Sequence, residues 1–352
     1  MSMLYLIFIG LSVILYGNEG VYMKIDILNL KQKLSLLKVM RDKMPDGKEK
    51  DVILIDIEKI EEILQYIKGE NFTREHHILE EYCEKHSDFK TDQFIQENSK
   101  NIYMELYNLY DKDLPIKFCF NRKFKEDEYF AIIESFLRYI NPEMLSIFHS
   151  MIQDKQIEIN EKLSLNAEGY CYKLLSDDTC YILSAYNNKM SKATNLPYEL
   201  AHAYQAGKFH GLDDMLKYYN SYFKESYPIF IEYTFGEFLR PRGYDRDILK
   251  IESNIIYNLI ARITYAFDRV SSPEEFIIDG QFKKITSLLL AMYLINEYKK
   301  SKFNGLQIAK DMNDLLFQNR QFEIFKQIGL ENLLNSGMTA VVNYKRSVRS
   351  KK

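Results

Sequence analysis

Apolar residues recur at helical spacing over most of the first 140 residues. In the range 51–68 the apolar side chains stand three or four positions apart, at Ile53, Ile57, Ile60, Leu64 and Ile67. In an α-helix this spacing places them on one stripe, which can pack against a hydrophobic core. The ranges 91–110 and 125–140 show the same pattern, so we predict that residues 25–140 are helical.

One segment has the pattern of strands instead. Between Tyr170 and Ser184, aromatic and β-branched residues alternate with other residues on both sides of a Ser176-Asp177-Asp178 turn. This pattern predicts a short β-hairpin. Helices are expected to resume after it over residues 197–207, 212–240, 247–269, 276–300 and 306–327, so the chain should be mainly α-helical.

The N-terminal residues are apolar, but the apolar run is short for a membrane span. Residues 3–16 form an almost uninterrupted apolar run, whereas a helix needs about 20 such residues to cross a bilayer. No Lys or Arg precedes the run and no small-residue cleavage site follows it, which is atypical of a signal peptide. We interpret residues 1–22 as an extension or the product of an upstream start site. A membrane anchor and a segment packed on the domain are the alternatives.

Composition and charge exclude some classes of partner. The chain has 352 residues, of which 46% are hydrophobic, and a formal net charge of −3. Without an excess of positive charge, nucleic acid is not an expected partner. The four cysteines have no C-x-x-C spacing, so we expect reduced, mostly buried thiols in a cytoplasmic protein. The basic residues within 341–352 are expected to form a solvated, frayed tail.

Residues 198–202 differ at one position from the His-Glu-x-x-His sequence of zinc peptidases. In an intact motif the two histidines lie one helical turn apart and face the same zinc ion, and the glutamate between them is the general base. Glu199 and His202 are present here, whereas Tyr198 replaces the first histidine. A phenol titrates near pH ~10 and must ionise to bind a metal well. This substitution therefore decides whether the chain can be an enzyme.

Several ordered segments resemble the oligoendopeptidase F / thimet oligopeptidase family, peptidase family M3. They are residues 166–171 (Asn-Ala-Glu-Gly-Tyr-Cys), 181–187 (Tyr-Ile-Leu-Ser-Ala-Tyr-Asn), 199–205 (Glu-Leu-Ala-His-Ala-Tyr-Gln) and 237–239 (Glu-Phe-Leu). The resemblance extends from about residue 125 to residue 300. It implies a mainly α-helical, zincin-like domain with a small β-hairpin or sheet next to the motif helix, and a channel that admits short peptides to a zinc ion.

The departures from the family affect its chemistry directly. The family has a zinc-ligand glutamate seven residues before the position of Glu237, which itself is implied to support the site without binding the metal. Phe230 stands at that ligand position and cannot bind zinc. Glu232 lies two residues further, turned by about 200° around a helix, so it is a candidate substitute ligand that would face the site only after a shift in register. The family also has a tyrosine that stabilises the tetrahedral intermediate, and Gly280 stands at the corresponding position.

We therefore predict a catalytically inactive homologue that binds a short peptide or a protein segment, or regulates another protein, without a metal cofactor. One alternative is a working zinc metallopeptidase with Glu199 as general base and with His202 and Glu232 as ligands. Another is a structural helical protein with a chance motif. The predicted divisions are an apolar extension (1–22), an N-terminal helical region (23–124), an oligopeptidase-like domain (125–340) and a basic tail (341–352). Membrane association is expected only if residues 3–16 act as an anchor.

Overall fold

The computed structural model describes residues 23–70, 79, 82–83, 88–110, 126–159, 169–185, 190–243, 245–270, 272–278 and 280–349. The chain divides into two compact units, each built from two separate stretches. The first unit takes the described parts of residues 1–78 and 121–207, and the second takes those of residues 79–120 and 208–352. The chain therefore passes between the units near residues 79, 121 and 208.

Helices make up most of the described residues, and three short strands lie near the middle of the chain. The first elements are α1 (Ile27–Lys43), α2 (Lys48–Lys68), α3 (Phe89–Glu97), α4 (Ser99–Tyr107), α5 (Glu126–Ile140), α6 (Pro142–Gln153), β1 (Ile157–Ile159), β2 (Gly169–Lys173) and β3 (Cys180–Ser184). They are followed by α7 (Met190–Ala193), α8 (Asn195–Ala206), α9 (Gly211–Tyr219), α10 (Ser226–Leu239), α11 (Asp245–Phe267), α12 (Pro273–Ile278), α13 (Gly280–Lys300), α14 (Lys302–Phe317), α15 (Gln321–Ile328) and α16 (Leu330–Arg349). A 3₁₀ turn, Arg240–Arg242, separates α10 from α11. The prediction of a mainly helical chain is confirmed.

The first unit contains a three-stranded sheet in the order β1-β3-β2. Strands β2 and β3 are antiparallel, with Tyr172 opposite Tyr181, and β1 runs parallel to β3. The predicted hairpin is therefore confirmed. Strand β1 has no counterpart in the sequence prediction, because its three residues are all buried and too few to reveal an alternating pattern.

The two faces of this sheet pack against different helices. One face, with Tyr172, Tyr181 and Leu183, joins a buried cluster with α1 and α2 that includes Ile57 and Ile60. Helix α8 packs against β2 and β3. This confirms that a small sheet lies next to the motif helix. The apolar stripe predicted for residues 51–68 supplies the α2 side of the cluster, because burying apolar surface stabilises the packed arrangement.

In the second unit, α13 packs against α10, α11, α14 and α16. The predicted continuous helix over 212–240 is wrong, since α9 ends at Tyr219 and α10 begins at Ser226. Pro228 gives the physical reason: inside a continuous helix it would remove a backbone hydrogen bond and collide with the preceding turn. In the first turn of α10 its missing N–H leaves no intrahelical bond unmade.

The C-terminal region is more ordered than the sequence pattern suggests. The range predicted as a helix over 306–327 contains α14 and α15, which are separated near Asn319, a residue with a φ of 54°. The prediction of a frayed tail from residue 341 is wrong as far as Arg349, because α16 continues to that residue and buries Val341 and Tyr344. Residues 1–22 and 350–352 lie outside the described part of the chain.

None of the helices in the described ranges is both long enough and apolar enough to cross a lipid bilayer.

Candidate functional site

The motif residues lie on α8, as predicted. The helix is established by residue 198, whose backbone N–H donates to the carbonyl of Thr194 at 3.2 Å. Glu199 is buried, with 5% of its surface exposed, whereas Tyr198 and His202 are half-buried. The helical period of 3.6 residues explains this division, because positions 198 and 202 share a face and position 199 is turned by about 100° from 198.

The side chain of Glu199 lies directly against strand β2. A methyl group added at Gly169 would stand 2.8 Å from Oε1 and 2.9 Å from Cγ of Glu199, well inside normal van der Waals separation. Only glycine therefore fits at position 169 while Glu199 keeps this position. Burial, Tyr170 and the Glu199 carboxylate together raise the pKa of Tyr66. Glu199 thus contributes to the buried junction of the motif helix, the strand and α2.

Tyr198, which stands in place of the first histidine, makes an aromatic contact with His202. The rings of Tyr198 and His202 meet edge to face, with centroids 4.9 Å apart and an angle of 77° between the ring planes. Such a pair is favourable, since the positive edge of one ring meets the electron-rich face of the other. In an intact motif two imidazoles would converge on a metal ion, whereas here the phenol of Tyr198 packs on the imidazole that remains.

The described residues do not fit a catalytic zinc ion. Such an ion requires three protein ligands and one open position. Within the described ranges, no three or more His, Cys, Asp or Glu side chains are grouped so that they could hold a metal ion. At the two positions where the intact motif has histidines, His202 is the one imidazole, because Tyr198 stands at the other.

The second predicted segment lies on α10, in the second unit. Phe230, at the family ligand position, has no exposed surface, and its ring contacts those of Tyr227 and Tyr298 at centroid distances of 6.5 and 5.8 Å. Glu232 is half-buried. The different burial of Phe230 and Glu232 agrees with the predicted rotation between them. Position 230 is thus part of the hydrophobic core of its unit.

Glu237 links two neighbouring side chains at the C-terminal end of α10. Its carboxylate accepts a hydrogen bond from the Tyr233 hydroxyl at 3.1 Å and forms an ion pair with Arg240. Burial raises the pKa of Glu237, but the hydrogen bonds and the charge of Arg240 outweigh it, so the net pKa lies below the ordinary value. Gly280 begins α13, and its neighbour Asp279 lies outside the described residues, as do residues 166–168 and 186–187 of the resembling segments.

Sequence reasoning missed a set of buried polar groups where α2 meets the hairpin turn. The Asp56 carboxylate accepts hydrogen bonds from the backbone N–H groups of Leu175 and Ser176, both at 2.7 Å. Lys59 Nζ donates to the carbonyl of Lys173 at 2.6 Å. The signal in the sequence is that two charged residues, one turn apart, lie directly beside the apolar stripe of α2.

No family model matches this chain, and neither does any curated protein. Among solved structures, it is similar to a Bacillus anthracis str. Ames protein assigned as an oligoendopeptidase F, with 13% sequence identity and a TM-score of 0.48. It is also similar to PZ peptidase A with an inhibitor, with 14% identity and a TM-score of 0.44. Each match covers 86% of this chain, but 63% and 65% of the two structures. The chain thus spans less than two thirds of either structure, and both are peptidases of the kind that the sequence segments resemble.

Proposed function

We propose that this chain is a catalytically inactive relative of the zinc oligopeptidases that has kept a peptide-binding surface. The observation that carries the proposal is the edge-to-face contact of Tyr198 with His202. The phenol stands at the first-ligand position, and the ring of the second ligand packs against it. The reaction of these peptidases requires a zinc-bound water. The described residues do not offer the complete set of protein ligands that the zinc ion would need.

The contacts of Glu199 support the same proposal. In an active zinc peptidase this glutamate takes a proton from the metal-bound water. Here it is buried against the backbone of Gly169. A carboxylate in this position serves to hold the motif helix on the sheet, so its presence is compatible with the loss of catalysis.

Strand β2 is the surface that we propose for peptide binding. Among the described strands, β2 pairs with β3 and is otherwise at the edge of the sheet. The N–H of Leu174 donates to the carbonyl of Thr179, so these two residues form a hydrogen-bonded pair. Hydrogen-bonded and non-hydrogen-bonded pairs alternate along an antiparallel ladder, so Cys171 belongs to a non-hydrogen-bonded pair. The N–H and C=O groups of Cys171 accordingly point away from β3. Such outward groups can pair with an extended peptide that adds as a further strand.

Metal content tests the loss of catalysis. We expect purified protein, dialysed after supply of zinc, to contain well under one equivalent by elemental analysis, and its melting temperature not to change with a chelator. It should not cleave a library of fluorogenic peptides. Stoichiometric zinc together with hydrolysis that Glu199→Gln abolishes would instead establish the working metallopeptidase, with His202 and Glu232 as candidate ligands.

Peptide binding is tested separately, by fluorescence anisotropy with a library of labelled short peptides. Cys171→Pro removes an outward N–H but no hydrogen bond to β3, and proline is tolerated at such edge positions. We expect this variant to lose binding and the matched Cys171→Ala variant to retain it. Equal binding by both variants, with intact folding in circular dichroism, would exclude β2 as the binding edge.

A further inference from the structure

Two cysteines face each other diagonally across the hairpin. Cys171 on β2 lies opposite Ile182, and Cys180 on β3 lies opposite Lys173, so the two thiols are diagonal neighbours on the same side of the sheet. Both residues are half-buried and neither is in a disulfide. Each thiol is near enough to the other to influence its pKa. The register therefore places two reduced thiols side by side on neighbouring strands.

The ladder geometry brings these side chains close together. Because Leu174 and Thr179 form a hydrogen-bonded pair, Cys171 and Cys180 both occupy non-hydrogen-bonded positions, where facing Cα atoms are about 4.5 Å apart. Diagonal neighbours are typically separated by about 7–8 Å, and a disulfide requires a Cα separation of about 4.4–6.8 Å. A shift of about 1 Å between the strands would therefore allow a bond to form.

Two lysines surround the pair with positive charge. Lys173 Nζ donates to the carbonyl of Asp178 at 2.8 Å and pairs with its carboxylate at 3.1 Å, and the buried Lys59 donates to the carbonyl of Lys173. The hydrogen bond from Cys171 lowers the pKa of Cys180, burial opposes this, and the charges of Lys173 and Lys59 lower it further. The same hydrogen bond and burial raise the pKa of Cys171. Positive charge stabilises a thiolate, and Cys180 is the thiol whose pKa both lysines lower.

We propose that Cys171 and Cys180 form a redox-active dithiol, which hydroperoxides convert into a disulfide across the hairpin. The Cys180 thiolate attacks one peroxide oxygen, the O–O bond breaks, and the departing oxygen leaves as hydroxide, giving a sulfenic acid on Cys180. The Cys171 sulfur then attacks the Cys180 sulfur. The S–S bond forms as the S–O bond breaks, and the departing hydroxide takes the thiol proton as water. The thiol pair loses two electrons, and hydrogen peroxide is reduced to two water molecules.

The disulfide would affect the motif helix. Gly169 lies two residues before Cys171 on β2, and its Cα approaches the Glu199 side chain so closely that not even a methyl group would fit. A shift of about 1 Å between β2 and β3 therefore changes the fit of the strand against α8. A bond that forces such a shift is strained, and strained disulfides are readily reduced. The pair is therefore suited to reversible oxidation.

The test is peptide mapping of the full chain after treatment with a small excess of hydrogen peroxide at pH 7.5. Remaining thiols are alkylated, and a tryptic digest is analysed without reduction. We expect the peptide 163–173 to be linked to the peptide 174–189, with the loss of two hydrogen atoms, and dithiothreitol to separate them. Thiols at 171 and 180 that stay reduced, or that join Cys83 or Cys119 instead, would overturn the proposal.

Three variants separate the roles of the groups. Cys171→Ser should stop at a sulfenic acid on Cys180 that dimedone traps, whereas the matched Cys83→Ser should form the linked peptides as wild type does. Lys59→Met should slow alkylation of Cys180 by iodoacetamide at pH 7.5, by about tenfold if the charge is worth one pKa unit. Failure of dimedone to label the Cys171→Ser variant would remove Cys180 from the role of attacking thiolate. An unchanged rate in Lys59→Met would exclude the lysine from activating it.

Discussion

Gly169 is the residue that allows Glu199 to reach the sheet, and its substitution gives the sharpest local test. In Gly169→Ala the new methyl group would lie 2.8 Å from Glu199 Oε1, so the carboxylate or the strand must move. We expect the free energy of unfolding in urea to fall by about 1–3 kcal/mol, the usual range for overpacking.

A double-mutant cycle provides the control for this substitution. In a Glu199→Ala background the collision at position 169 disappears, so Gly169→Ala should be almost neutral there. If Gly169→Ala lowers stability equally in both backgrounds, the close contact with Glu199 is not the cause.

Lys59 makes stability depend on pH in the alkaline range. Burial lowers its pKa from 10.5 to about 8, so between these values the unfolded chain binds more protons than the folded one. The destabilising contribution of this lysine is fully present below pH 8 and is lost as the pH rises towards 10.5. Wild-type stability relative to Lys59→Met should therefore increase from pH 7.5 to pH 10, by about 1–3 kcal/mol.

Urea titrations of both proteins at the two pH values provide the measurement. The hydrogen bond from Lys59 to the carbonyl of Lys173 is absent from the variant at both values, so the change with pH isolates the ionisation. A stability difference that stays constant with pH would contradict the assignment.

At the scale of elements, α2 and the hairpin depend on each other through Asp56. Its carboxylate accepts two backbone hydrogen bonds from residues 175 and 176, so Asp56→Ala leaves one buried and one part-buried donor without their acceptor. We expect a loss of about 2–4 kcal/mol in the free energy of unfolding. Asp56→Asn keeps one acceptor oxygen and should lose less. Faster amide hydrogen exchange at Leu175 and Ser176 would locate the effect, and unchanged exchange there would argue against it.

The sequence pattern identified elements better than it identified their interruptions. The α2 stripe and the hairpin carry strong periodic signals, and the motif helix was predicted to within two residues at its start. The break at residues 220–225 lay inside a continuous apolar pattern, with Pro228 as the sign that the pattern was not one helix. The burial of Val341 and Tyr344 was missed because the basic residues that end the chain, from Lys345 onward, are typical of a solvated tail.

In the candidate site, too, the local features were predicted from the sequence and the long-range contacts were not. Tyr198, Glu199 and His202 were placed on one helix because their spacing is local. The contacts of Asp56 and Lys59 with the hairpin join residues 119 and 114 positions apart. Single-sequence periodicity indicates which face of a helix is buried, but it does not indicate which distant segment covers that face.

At the scale of the whole molecule, the division into two units predicts separate responses to core mutations. Phe230 is fully buried in the second unit, and Phe230→Ala should lower the stability of that unit by about 3–5 kcal/mol. Cys83 belongs to the second unit and Cys171 and Cys180 to the first. In Phe230→Ala the reaction of a thiol-labelling reagent should therefore become faster at Cys83 and keep its wild-type rate at Cys171 and Cys180. Equal acceleration at all three cysteines would mean that the chain unfolds as one cooperative unit.

The buried cluster around the sheet also has a consequence for how the protein is made. It joins residues of α1 and α2, up to Tyr66, with hairpin residues that begin at Tyr172, so more than 100 residues separate the two halves of the cluster. Ribosomes add about 5–20 residues per second, so the helices leave the exit tunnel roughly 5–20 s before the strands that cover them. During that interval the stripe around Ile57 and Ile60 is exposed on the nascent chain, where a chaperone that holds unfolded segments can bind it.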